Sequence, residues 1–284
     1  MFNSIKKCFS EIEAKKILGN KDNAIKYLSK LPDNKIELKK LSTKEVWEVV
    51  VKTWDYEISK NIIRELFKES PKYKAGKESA TVIDVLLTEW NKLNLGEIKW
   101  PCSQGDFDNF VQKINSQSTL RSEKDEEVKI AAVKYRRLKE LNTARNDYLE
   151  TLLFEKNNNI VPTLKHNRGA DFYIDGVSFD QKVAKSPTQE FIKKHGDNWK
   201  EVAKKNPVEV AEHLYRLQDE GRFGYEPRLF VVYVDEDIPV IELKSIIDKI
   251  DVTKPIEVTF TYKHEKTGEK TYKTYCFMVL LYRN

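Results

Sequence analysis

Residues 169–187 read GADFYIDGVSFDQKVAKSP. The Asp175-Gly176 pair stands between two alternating runs, and Asp-Gly is the preferred filling of a two-residue type I′ hairpin turn, because both central positions need positive φ. With that turn, Ile174 pairs with Val177, Phe172 with Phe179, and Asp171 falls opposite Asp180. Alternation then puts Asp171, Tyr173, Ser178, Asp180 and Lys182 on one face of the hairpin. Ala170, Phe172, Ile174, Val177 and Phe179 share the other, which is the core side.

Two directly opposed carboxylates destabilise a hairpin by roughly 0.2 to 1 kcal/mol when exposed, and by more when buried. A hard divalent cation such as Mg²⁺, which takes one or two carboxylates plus waters and phosphate oxygens, offsets that repulsion. Lys182 on the same face supplies positive charge for an anion developing at phosphorus.

An acid on one strand, a short hairpin, then Asp-x-Lys on the next strand resembles the PD-(D/E)XK nuclease superfamily. Asp171 matches the first acid and Asp180-Gln181-Lys182 the second half, with Ala170 standing where the family usually has Pro. The family's helix acid before the first strand is best matched by Glu150, in RNDYLETLLFEKN. The resemblance covers about residues 125–235. It implies Mg²⁺ held by Asp171, Asp180 and Glu150, with Lys182 assisting the reaction. The implied activity is site-specific cleavage of double-stranded DNA by a homodimer, as in type II restriction endonucleases, leaving 5′-phosphate and 3′-hydroxyl ends. A nuclease effector of another defence or repair system, and a noncatalytic DNA-binding protein of the same fold, are the alternatives.

Upstream, residues 1 to about 95 carry apolar positions at helical spacing: Val46, Val49, Val50 and Trp54, then Ile62 and Leu66, then Val82, Val85, Leu86 and Trp90. The segment LNLGEIKWPCSQGDFDNF reads as a connector, with Asp106 and Asp108 as caps. Residues 122–155 predict the longest helix, with Ser122 as N-cap and Ile130, Val133, Leu138, Leu141, Leu149, Leu152 and Leu153 as its apolar positions. After it come the strands IVPTLK, ADFYID and VSFDQKVA, a helix near residues 207–220, the apolar strand LFVVYV, a helix over residues 240–250, and a closing hairpin that extends the sheet. The expected fold is therefore α/β (α+β), restriction endonuclease-like: a mixed central sheet flanked by helices. It divides into a helical region at 1–120 for DNA binding or dimerisation and a nuclease core at 121–284.

The chain has 50 Lys and Arg against 45 Asp and Glu. Residues 1–150 hold 29 basic and 24 acidic side chains, so the surplus lies in that half. A charge-balanced second half needs a metal or local clusters to hold phosphate, and Arg168 and Lys185, beside the motif, are the expected DNA contacts. Arg136, Arg137, Arg145, Lys165, Lys193 and Lys194 are mainly solvated. Gln189 and Glu190 read as loop residues, and His213, with Gln218 on the same helix, as a packing residue. Cys8, Cys102 and Cys276 lack zinc spacing, and the four histidines show neither metal spacing nor a nucleophile's signature. No secretion signal or membrane span is legible, so a soluble, cytoplasmic protein is expected.

Overall fold

The computed structural model describes residues 4–7, 9–32, 37–96, 104–117, 121–165, 170–184, 186–217, 225–235, 238–264 and 268–283. The expected DNA contacts Arg168 and Lys185, as well as Gln218, Cys8 and Cys102, lie outside these residues. The fold is mixed α/β. Six strands form one open sheet in the order β1-β2-β3-β4-β6-β5. They are β1 Ile160–Pro162, β2 Phe172–Ile174, β3 Val177–Ala184, β4 Arg228–Tyr233, β5 Ile256–His264 and β6 Gly268–Leu281. The β3-β4 and β4-β6 pairs are parallel, while the β1-β2, β2-β3 and β5-β6 pairs are antiparallel. The closing hairpin thus extends the sheet as expected.

Helices cover both faces, and strand alternation sorts the side chains between them. On one face Phe172, Ile174, Phe179, Leu229, Val231 and Phe277 pack with α5 (Pro71–Lys92), α7 (Arg121–Lys156) and α11 (Val240–Ile247). On the other face two separate groups form. Val161, Ala170 and Tyr173 are covered by α1 (Glu11–Leu18), α2 (Lys21–Ser29), α3 (Thr43–Lys52) and α4 (Tyr56–Glu69). Phe230, Val232, Val258, Phe260 and Cys276 are covered by α8 (Gln189–His195), α9 (Trp199–Lys205) and α10 (Pro207–Leu217). Strand β3 runs between these two groups, and its Ser178, Asp180 and Lys182 belong to neither.

Local chemistry accounts for the helix starts. Ser42 and Glu45 form a reciprocal capping box on α3, Asp55 caps α4, and Ser70 caps α5 with Pro71 at its first position. Several expectations need correction. A further helix, α6 (Gln104–Asn115), occupies the second half of the presumed connector and contains Asp106 and Asp108. Helix α7 already includes Arg121, so Ser122 lies within its first turn and is not its N-cap. Ile130 and Val133 are 58% and 39% exposed and so are not core positions, whereas Leu138, Leu141, Leu149, Leu152 and Leu153 are buried as expected. Val82 and Val85 are likewise exposed, and Ile83 takes the inward position. Gln189 and Glu190 open a helix capped by Thr188, whose side chain accepts from the Phe191 N–H.

The core does not divide at residue 120. Phe67, Ile83, Leu86 and Trp90 from the N-terminal side share one buried cluster with α7 and the sheet. Arg64 of α4 reinforces the join, donating to the carbonyl oxygens of Phe154, Asn157 and Ile160 at 3.2, 3.0 and 2.6 Å. No helix among the described residues is long and apolar enough to cross a membrane.

Candidate functional site

The hairpin forms in the register read from its turn. Phe172 pairs with Phe179, Tyr173 with Ser178 and Ile174 with Val177, and both turn residues have positive φ, 50° at Asp175 and 83° at Gly176. The turn docks on the start of the chain, where the Ile5 N–H donates to Gly176 O at 2.8 Å. A Cβ at Gly176 would lie 2.7 Å from Ser4 Oγ and 2.8 Å from Lys6 Cγ, so glycine is required by space as well as by conformation.

The regular ladder stops one pair short of the acids. The Asp171 N–H donates to Phe179 O at 2.9 Å, one residue out of register with the Phe172–Phe179 pair. Ala170 lies with Tyr173 under the N-terminal helices while Phe172 faces α7, so the alternation breaks at Asp171. This is the signature of a β-bulge, which re-aims the side chain at its extra residue. The expected uniform face is therefore corrected on two counts: Ala170 is not on the side of Phe172, and Tyr173 is buried, its hydroxyl donating to Glu13. Strict opposition of Asp171 and Asp180 gives way to an offset. Asp171 Oδ2 accepts the Gln181 N–H at 2.8 Å, which fixes the first acid on the backbone immediately after Asp180.

Asp180 and Lys182 share a face of β3, as expected, and their charged groups meet at 2.8 Å. Both are partly open to solvent, with side chains 20% and 39% exposed. Glu150 comes from α7, on the sheet face that also carries Gln181, and only 8% of it is exposed. Burial pushes its carboxyl up to about 7, the charges of Asp171 and Asp147 add to the rise, and an ion pair with Lys72 of α5 opposes it. Gln181 Oε1 is buried with no hydrogen-bond partner. Among the described residues no three His, Cys, Asp or Glu side chains come together as a ready cation cage. Asp171 is anchored beside Asp180 and Asp180 holds Lys182, whereas the expected joining of Glu150 to this group needs correction: it lies on the sheet face opposite to Asp180 and meets only the charge of Asp171.

Sequence reading passed over two further polar residues near this point. Lys72 is the counter-ion of Glu150 and comes from a helix of the N-terminal region. Arg228 is the register partner of Asp180 on β4 and is 2% exposed. An arginine directly before the apolar run LFVVYV is a readable signal, since a buried strand start does not ordinarily take one. His213 is buried, as expected of a packing residue, with its ring edge-on to Phe191 at 5.5 Å between centroids. Lys194 and His195 both contact Glu209, at 2.7 and 2.8 Å, and hold α8 to α10. A cavity of about 580 Å³ lies beyond the carboxyl ends of β3 and β4, with Lys200 and Asp235 on its wall already paired at 2.7 Å.

No model of a protein family, no curated protein and no solved structure matches this chain.

Proposed function

We propose that the chain is a metal-dependent nuclease of the PD-(D/E)XK type, acting on double-stranded DNA. The observation that carries the reading is the 2.8 Å bond from the Gln181 N–H to Asp171, which draws the acid of one strand onto an Asp-x-Lys strand whose Asp and Lys are already in contact. Support also comes from the parallel strand and covering helices that follow the motif.

Asp171 and Asp180, joined through the backbone of Gln181, are the residues that would hold Mg²⁺, and they offer carboxylate oxygens, the ligands this ion prefers beside water and phosphate; Glu150, across the sheet from Asp180, reaches Asp171 through charge alone. When bound, the ion supplies Lewis-acid activation of the phosphate and of water. Lys182, oriented through its contact with Asp180, is the cation that would face the phosphate. The Gln181 N–H holds Asp171 in place before any ion arrives, which lowers the ordering cost of binding. Lys72 balances Glu150 in the ion-free protein.

Incubation of a sequenced plasmid with the protein and Mg²⁺, followed by end mapping, is expected to give 5′-phosphate ends. Discrete fragments are the outcome for a type II restriction enzyme working as a homodimer on a symmetric site, and smears the outcome for a less selective nuclease. Asp180→Ala and Lys182→Ala should each lower cleavage by about a hundredfold or more, with duplex binding in Ca²⁺ preserved. Wild-type cutting by both variants would remove the assignment.

A further inference from the structure

Half-buried Arg64 and buried Arg228 differ in a way that points to a ligand. Arg64 is surrounded by acceptors: three backbone carbonyl oxygens and Asn158 Oδ1, the last at 3.4 Å. It is a structural cation, saturated by the chain ends it joins. Arg228 is more buried, at 2% exposure, yet its Nε and Nη1 find no hydrogen-bond partner. Its guanidinium carbon lies 5.6 Å from the centre of the Tyr215 ring, a contact that attracts the charge but accepts none of its in-plane N–H groups.

The location gives this orphan its meaning. In the β3-β4-β6 register Arg228 lies between Asp180 and Cys276, so it shares the face that presents Asp180 and Lys182. Asp180 is engaged by Lys182, and Cys276 is a buried thiol kept protonated by desolvation. A buried cation with unmet donors is strongly unfavourable, because desolvation of those donors is not offset by hydrogen bonds within the protein. The planar N–H groups of a guanidinium suit the oxygens of a phosphate.

We propose that Arg228 is a phosphate-binding residue of the sheet face that presents Asp180 and Lys182, taking nonbridging oxygens of the nucleic-acid backbone beside Lys182. This rests on the nuclease reading for the identity of the polymer, but not for the anion.

The test uses the full chain, metal-free so that binding is separate from cleavage, as wild type, Arg228→Met and Arg228→Lys. Millimolar inorganic phosphate is expected to raise the wild-type Tm and to leave that of Arg228→Met unchanged. Without phosphate, Arg228→Met should melt no lower than wild type, since it removes an unpaired buried charge. Affinity for a fluorescent duplex should fall about tenfold or more in Arg228→Met, with the slope of log K against log salt shallower by about one, and Arg228→Lys should fall between. Phosphate stabilisation of Arg228→Met equal to that of wild type would overturn the proposal, and so would unchanged duplex affinity and slope. If Arg228→Met does not fold, Arg228→Lys decides: weakened duplex binding at an unchanged Tm supports the proposal, and wild-type binding overturns it. A wild-type protein that binds phosphate through Arg228 but leaves DNA intact in Mg²⁺ keeps this inference and removes the nuclease reading. Mg²⁺-dependent cleavage with undiminished binding by Arg228→Met does the reverse.

Discussion

His213 sits under α8 with Thr188 Oγ1 at 3.5 Å and Glu190 at 3.6 Å from Nδ1, and its Nε2 is buried without a partner. Burial lowers its pKa, Arg216 and Lys194 lower it further, and Glu190 and Glu209 pull the other way. The folded protein therefore holds this ring neutral in a window where the unfolded chain protonates it. Stability from His213 is complete above the unfolded value near 6.5 and is lost as pH falls below it. Urea unfolding at about pH 7.5 and about pH 5.5 should show the wild type losing stability on acidification, and His213→Phe should lose less. Equal slopes in the two proteins would contradict the assignment of a neutral buried ring. The sequence showed that His213 belongs to packing, since it falls on the inward stripe of a helix. It did not show Thr188, Glu190 and Lys194 beside the ring, because they come from a helix that periodicity alone did not disclose.

At the scale of elements, the packing of α5 on α7 positions Glu150. Gly76 lies where these helices touch: a Cβ there would fall 2.0 Å from Thr151 Oγ1 and 2.9 Å from Asp147 O. The second contact is backbone, which no change of rotamer relieves. Gly76→Ala should force the helices apart and destabilise the protein by about 1 to 3 kcal/mol, despite the better helix propensity of alanine. Since Thr151 adjoins Glu150 and Lys72 projects from α5, cleavage should weaken as well; a variant as stable and as active as wild type would count against this account. The hairpin was legible in the sequence because turn chemistry and strand alternation are local rules. The bulge at Asp171 was not, because it arises when Ala170 and Tyr173 are drawn under helices more than a hundred residues away in the chain. Helices α8 and α9 are short and amphipathic only in part, and the Thr188 cap was the signal available for the first of them.

For the whole molecule, the shared core makes the N-terminal helices part of the site's support. A fragment beginning at residue 121 would expose the faces that Phe67, Ile83, Leu86 and Trp90 cover and would lose the Arg64 bonds at the end of α7. Such a fragment should show no cooperative unfolding by circular dichroism, and a sharp transition near that of the full chain would show that the second half folds alone. A mixed sheet covered by helices on both faces was legible from the order of periodic segments, whereas the sharing of one core by both halves required packing to be seen. The bond between Ile5 and Gly176 reaches across most of this architecture. During synthesis the first four helices leave the ribosome long before the hairpin they pack against exists, and the faces they turn to it must wait for about a hundred or more further residues to be translated. Completion of this core is thus a late event in the protein's own production.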